Sequence, residues 1–335
     1  AKVEGFSKEL RDPCRDKKLP SGAIKLRVPG NEWISFKDYV LQKKVSWNSD
    51  TIGDATLLKS DGFPTYHLAV VVDDNDLKIT HVLRGHDWMP STPIHLLVYK
   101  YLGFPVPEIA HLTDILDPEG GKLSKRKGST SVRGLLAEGY LPEALFNFVI
   151  LLGWAPKDNR ELFTLEDFVK AFDPTGFQKS NPVFNREKLN WFNGEYIRQK
   201  TDKELFKLLR PTVPANVSDT NLNYMIPLVK DRIKKLSDFN ELAGYVFKTS
   251  NEITPMISSD PSYLSHISLA TTALKSIDPN DWTLSNINNE LNRVVTENNF
   301  KKGDFYMNLR TTISGTRYTP PINETLVPIG SAGTI

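Results

Sequence analysis

The residues best suited to chemistry stand together in Gly120-Gly121-Lys122-Leu123-Ser124-Lys125-Arg126-Lys127-Gly128-Ser129, where four cationic side chains fall within six residues. The 335-residue chain carries a formal charge of only +2, so the concentration of charge is local. Glycines let backbone approach a ligand closely, and lysines are compact point charges that suit phosphate. One reading is a polyphosphate-handling loop. The other is a solvated basic turn, or a patch for nucleic acid or nuclear targeting, and for an isolated basic run that is the commoner case. A P-loop ATPase is disfavoured, because the chain has no G-x-x-x-x-G-K-[ST] pattern.

The elements that must position this loop follow from periodicity and punctuation. Residues 1 to about 50 read as short polar elements around the turns at Pro13, Pro20-Ser21-Gly22 and Pro29-Gly30-Asn31, with Ala23-Ile24-Lys25-Leu26-Arg27-Val28 alternating as a half-buried strand does. From Leu57 the pattern turns to alternating strand and helix. Pro64 can open a helix through Ala69, although Val70-Val71-Val72 favours a strand on propensity alone. Ile79–Leu83 reads as a strand, Thr92-Pro93 opens a helix that stops at Gly103, and Ile109–Leu112 is a further strand leading to the basic loop. Such alternation implies a parallel sheet with crossover helices, whose ligands sit beyond the carboxyl ends of the strands. Arg84 and the basic loop both fall just after such ends.

Beyond residue 133 the chain reads as helical to its end. Pro142 begins an apolar helix closed by Gly153, and Thr164 with Asp167, like Thr201 with Glu204, is spaced as a capping box. Hydrophobic content of 39% and charged content of 24% indicate neither disorder nor a membrane class. No run of about eighteen apolar residues occurs. The single cysteine, Cys14, excludes an internal disulfide framework and a thiolate-rich zinc site and fits a reducing compartment. Five of the six histidines lie before residue 112 without a ligand spacing such as H-E-x-x-H, so no metal is expected from the protein.

A resemblance enters with the order of the motifs. Asp61-Gly62-Phe63-Pro64-Thr65-Tyr66, Val72-Asp73-Asp74, Ile79-Thr80-His81-Val82-Leu83-Arg84-Gly85, Lys122-Leu123-Ser124-Lys125-Arg126 and Gly139-Tyr140-Leu141-Pro142-Glu143-Ala144-Leu145 occur in sequence. Leu151-Leu152-Gly153-Trp154, Lys188-Leu189-Asn190-Trp191-Phe192-Asn193-Gly194 and Pro320-Pro321 follow. Together they resemble the glutamyl-tRNA synthetases of bacterial and organellar type, a class I aminoacyl-tRNA synthetase family. The basic loop matches the family's Lys-Met-Ser-Lys-Ser signature, with Leu123 for Met and Arg126 for the last Ser.

The resemblance implies an α/β then all-α chain: a remnant of the acceptor-end-binding insertion over 1–50, the second half of a Rossmann-like catalytic domain over 51–133, a helical stem-contact region over 134–200 and a helical anticodon-binding domain over 201–335. It implies glutamate activation with ATP and Mg²⁺, without zinc, and transfer of the glutamyl group to the terminal adenosine of tRNA(Glu), with charging of tRNA(Gln) left open. Lys122, Ser124, Lys125 and Arg126 are then the catalytic loop, Lys125 foremost; Asp87 and Ile115 join Lys122 and Lys125 at the nucleotide. Tyr66, Val70 and Arg84 face glutamate, Arg84 by two parallel hydrogen bonds to a carboxylate, for which the alternative is a structural salt bridge at a strand end. Arg310 and Arg317 are candidates for the anticodon. Asp73-Asp74 reads as a helix end or turn rather than a metal site.

Two departures qualify the resemblance. Val70 and His86 stand where the family frequently has Asn and Glu, and the His-Ile-Gly-His signature is not in this chain, which implies a fragment lacking about the N-terminal third and inactive alone. The family points to a monomer without membrane attachment. Asparagine-rich helices suit a mitochondrial matrix enzyme, the bacterial cytoplasm being the other placement. A non-catalytic tRNA-binding module is the rival reading.

Overall fold

A computed structural model describes residues 10–17, 19–124, 130–215 and 217–334 of the chain. Its described residues fall into two compact units, one holding those up to Ser124 together with Val149–Phe184, the other holding residues 130–148 together with those from Asn185 onward. The stretch 134–200 is thus shared between the two.

The first unit is the α/β part. Strand β1 (Ile24–Lys25) pairs antiparallel with β4 (Thr56–Leu58), and β2 (Trp33–Lys37) pairs antiparallel with β3 (Lys44–Asn48). The strand expected over Ala23–Val28 shrinks to two paired residues, yet Leu26 and Val28 are still buried. Their alternation reflects burial more than ladder pairing.

Helix α1 spans Tyr66–Asp76 and follows Thr65, so Val70–Val72 are helical against their propensity. Burial decides the matter: Val71 is fully enclosed in the main core, and tertiary packing outweighs a preference of a few tenths of a kcal/mol per residue. Pro64 lies before the cap and bridges to Leu58. Strand β5 (His81–Gly85) and strand β6 (Glu108–Leu112) run parallel, joined by a 3₁₀ turn over His86–Ser91 and helix α2 (Thr92–Leu102). Gly103 ends α2 in the left-handed region at φ 69°, the conformation a C-terminal glycine supplies at least cost. Leu96–Tyr99 of α2 pack with Val71, Ile109, Leu26, Val28 and Ile34 to form this unit's core.

Among the described residues no strand follows β6. Helices α3 (Val132–Ala137) and α4 (Pro142–Gly153) come next, and α4 ends where expected. Both capping boxes form. Asp167 reaches back to the Thr164 N–H at 3.3 Å, whereas the longer Glu204 reaches the Thr201 N–H at 2.7 Å, as side-chain length predicts. The second unit is helical throughout, and its members α6 (Arg186–Gln199) to α13 (Ile322–Ile329) follow α5 (Leu165–Ala171).

Candidate active site

Register builds the first half of the site. Arg84 of β5 lies directly opposite His111 of β6, so both side chains stand on one face of the parallel pair. The short 3₁₀ turn then brings in α2, whose residues three apart share a face, and Thr92 and His95 meet the arginine from above. The strand both begins and ends two residues later than expected, and its end at Gly85 places Arg84 inside the ladder rather than after it.

The guanidinium meets acceptors on three sides. Its Nε donates to His111 Nε2 at 3.3 Å, Nη1 to His95 Nδ1 at 2.9 Å and Nη2 to Thr92 Oγ1 at 2.6 Å. Among the described residues no carboxylate lies within salt-bridge distance of it, which removes the structural ion pair as its explanation. The cation is half-buried and held by neutral groups. Burial lowers its pKa from the ordinary value, but an arginine remains charged. Burial and the Arg84 charge push His95 down to about 3 and lower His67 as well. Burial also lowers His111, against the pull of Asp38.

Tyr66, the first residue of α1, stands beside this cluster, 50% exposed, with its ring 4.7 Å from that of Trp88 and 6.0 Å from that of His95. An exposed aromatic pair thus stands next to a half-buried cation, a combination suited to a small acid with an apolar stem. Val70, one turn further along α1, packs partly buried against the core as an apolar side chain that offers no hydrogen bond. Asp73 and Asp74 fall in the last turn of α1, where Asp74 accepts from the Tyr99 hydroxyl at 3.4 Å.

The second half of the site lies after β6. Leu123 N–H donates to the Ile115 carbonyl at 2.8 Å and Asp117 N–H to the Gly121 carbonyl at 2.9 Å, closing a turn in which Gly120 and Gly121 take φ 103° and 81°. Only glycine adopts such angles without strain. The turn is fixed from outside by Leu116, which exchanges backbone hydrogen bonds with Pro182 and Phe184. It presents Lys122, whose ammonium bonds Asp87 and also Asp114 Oδ1 at 2.9 Å. Bonds to Asp87 and Asp114 raise its pKa from the ordinary value. Asp87 is therefore joined to Lys122. Ser124 is exposed, and Lys125 and Arg126 lie outside the described residues.

In the helical unit, Arg310 of α12 (Lys302–Ser314) donates to Thr319 Oγ1 at 3.0 Å and lines a cleft of about 420 Å³ with Arg232, Lys302, Tyr306 and three asparagines, Asn288, Asn292 and Asn323. Arg317 is exposed in the following turn, outside that cleft. Among the described residues no group of three or more His, Cys, Asp or Glu side chains could hold a metal ion, and no helix is long and apolar enough to cross a membrane.

Sequence reasoning missed Trp88, Thr92, His95, His111 and Asp38. The excess of histidines before residue 112 was the signal for His95 and His111. It bears on metal only if histidines are read as ligands; here they serve as neutral acceptors around a cation.

Comparisons with known proteins come last. Residues 8–191 match the family model for tRNA synthetases class I (E and Q), catalytic domain, and residues 204–335 match an anticodon binding domain. A glutamate–tRNA ligase of Dehalococcoides mccartyi strain CBDB1 is 36% identical over 333 residues, covering 95% of this chain and 68% of the relative. One of Clostridioides difficile strain 630 is 35% identical over 347 residues, with coverages of 98% and 70%. A solved glutamate tRNA ligase from Elizabethkingia meningosepticum, in complex with its amino acid, superposes with a TM-score of 0.78 at 31% identity, covering 93% of this chain and 66% of that one. The chain thus spans about two thirds of the length of these relatives. All three are bacterial, and none supports the mitochondrial placement.

Proposed function

Because the chain belongs to the class I tRNA synthetases of the glutamate and glutamine branch, we propose that it carries the glutamate pocket and the pyrophosphate-facing loop of a glutamate–tRNA ligase. The reaction joins glutamate to ATP, releasing pyrophosphate, and passes the glutamyl group to the 3′-terminal adenosine of tRNA. The observation that carries this reading is Arg84, a half-buried cation with no carboxylate partner among the described residues, beside Tyr66.

Three of the five N–H donors of Arg84 are used by His111, His95 and Thr92, which leaves one on each terminal nitrogen for the two oxygens of a side-chain carboxylate. Tyr66 and Trp88 flank the stem. On the nucleotide side, the attack of the α-carboxylate on the α-phosphorus needs in-line placement and relief of charge on the departing pyrophosphate. Lys122 and Lys125 supply that charge, and a lysine's mobile ammonium can follow the phosphates as they separate. For Lys122 this means exchanging Asp87 and Asp114 for phosphate oxygens. Arg126, Ser124 and the Ile115 backbone complete the nucleotide's surroundings in this reading, and magnesium arrives with ATP.

The four-part organisation, with boundaries near 50, 133 and 200, belongs to the same proposal, as do tRNA(Glu) as partner, Arg310 and Arg317 as anticodon contacts and a monomeric state. The bacterial relatives support a cytoplasmic setting. Glutamate- and tRNA-dependent pyrophosphate exchange by the whole protein tests the reading. Lys125→Ala is expected to lower the rate by about 10²–10³; charging at the normal rate by that variant would remove the loop from the mechanism. Nucleotide hydrolysis without glutamate or tRNA, or tRNA binding with no exchange at all, would replace the proposal with an ATPase or a binding module.

A further inference from the structure

We propose that Asp38, His111, His95 and His67 form a positioning relay that, with the Thr92 hydroxyl, grips Arg84 only through lone pairs of neutral groups, so that its charge stays uncompensated and selects an acid over its amide. The inference rests on the reading of Arg84 as the residue that receives the substrate's side-chain carboxylate.

The proton positions follow from one fact: an arginine donates and never accepts. His95 Nδ1, 2.9 Å from Arg84 Nη1, must therefore bear a lone pair, so a neutral His95 carries its proton on Nε2. That proton points to His67 Nδ1 at 3.0 Å, which leaves the His67 proton on Nε2. On the other side His111 Nε2 accepts from Arg84 Nε, so the His111 proton is on Nδ1 and is donated to Asp38 Oδ2 at 2.7 Å. The Asp38 carboxylate is fully enclosed and is fixed by the backbone N–H groups of Val40, Leu41 and His111 at 3.0, 2.8 and 3.1 Å. Each imidazole has a single tautomer compatible with its neighbours.

The relay thus runs from a buried carboxylate to a partly exposed imidazole, and the only carboxylate in it is separated from the guanidinium by a whole ring. The charged and titratable groups that face it are Arg84, Asp38, Tyr66, Tyr99, Asp74 and His86, and burial together with Arg84 disfavours a second positive charge on the imidazoles. A carboxylate in direct contact with Arg84 would orient it equally well. It would also neutralise it, and the pocket would then meet an acid and an amide with similar affinity. Neutral acceptors give the orientation without that loss.

The test compares His95→Asp with His95→Asn in the whole protein. The two side chains have nearly the same shape and both can offer an oxygen where His95 Nδ1 stands, so they differ in charge alone. In glutamate- and tRNA-dependent pyrophosphate exchange, the KM for glutamate of the Asp variant is expected to exceed that of the Asn variant by about 10–100-fold, with the KM for ATP equal in the two. The pair His67→Asp and His67→Asn, at the partly exposed end where folding tolerates either, is expected to show the same sign with a ratio of about 3–10-fold. Equal KM values for glutamate within both pairs would overturn the relay while leaving the function intact. Absence of glutamate-dependent exchange in the unaltered protein would overturn the function and the relay with it.

Discussion

At the scale of single residues, what distinguishes Arg84 is the company it keeps. A surface arginine paired with a carboxylate contributes little and recognises nothing, whereas one held by Thr92, His95 and His111 retains its charge for a ligand. Shape matters as much as charge here. Arg84→Lys keeps the cation but loses the planar fork and its fixed donors, so the KM for glutamate should rise by about 10–150-fold, the worth of a charge-assisted hydrogen bond, with little change for ATP. Steady-state exchange kinetics with each substrate varied in turn would measure it; an unchanged KM would mean that the carboxylate is read elsewhere. Lys122 presents the opposite case, a cation already satisfied by Asp87 and Asp114, which under the proposed function it would exchange for the departing phosphates.

At the scale of elements, two of the recognisable motifs hold the scaffold together. Gly139 has φ 93°, and a Cβ there would stand 2.8 Å from the Ser237 nitrogen and 3.0 Å from that of Leu236. Its carbonyl accepts the Leu236 N–H at 3.0 Å, the next residue's Tyr140 hydroxyl donates to Asn190 at 2.5 Å, and Leu141 N–H donates to Asn193 at 2.7 Å. The Gly139–Leu145 and Lys188–Gly194 motifs are therefore two sides of one junction within the helical unit. Gly139→Ala should destabilise the protein by about 1–3 kcal/mol from backbone strain, and by more once the clash with fixed backbone is added. Urea unfolding would show it as a lower midpoint; a loss below about 0.5 kcal/mol would mean that the turn relaxes. The same logic explains α1, where three consecutive valines are helical because Val71 is enclosed on every side.

At the scale of the whole molecule, the buried histidines link folding to pH. The folded-state pKa of His95, about 3, lies below its ordinary 6.5, so between these values the unfolded chain binds the proton more tightly. Its contribution to stability is complete above pH 6.5 and is withdrawn as pH falls towards 3, at up to about 1.4 kcal/mol per pH unit. His67 and His111 are lowered too and act with the same sign. Unfolding free energies at pH 7.5, 6 and 5 should fall more steeply for the unaltered protein than for His95→Asn. Parallel slopes would show that His95 already carries a proton in the folded state.

The amino-acid sequence by itself determined the family, the class of fold and several helix ends, because these depend on local and ordered signals. Gly103 terminates α2, Thr164 and Thr201 cap their helices, and the motif order from Asp61 to Pro321 carries the resemblance. It also picked out Arg84, Tyr66 and Lys122. It did not give the partners of Arg84, since Asp38 and His111 are 73 residues apart and meet only through the register of β5 on β6 and the turn that buries Asp38. Nor did it show that Gly139 admits a neighbouring backbone. Tertiary structure decided both, because a tautomer or a close approach is fixed by what packs against it, and packing brings together residues that no local pattern relates.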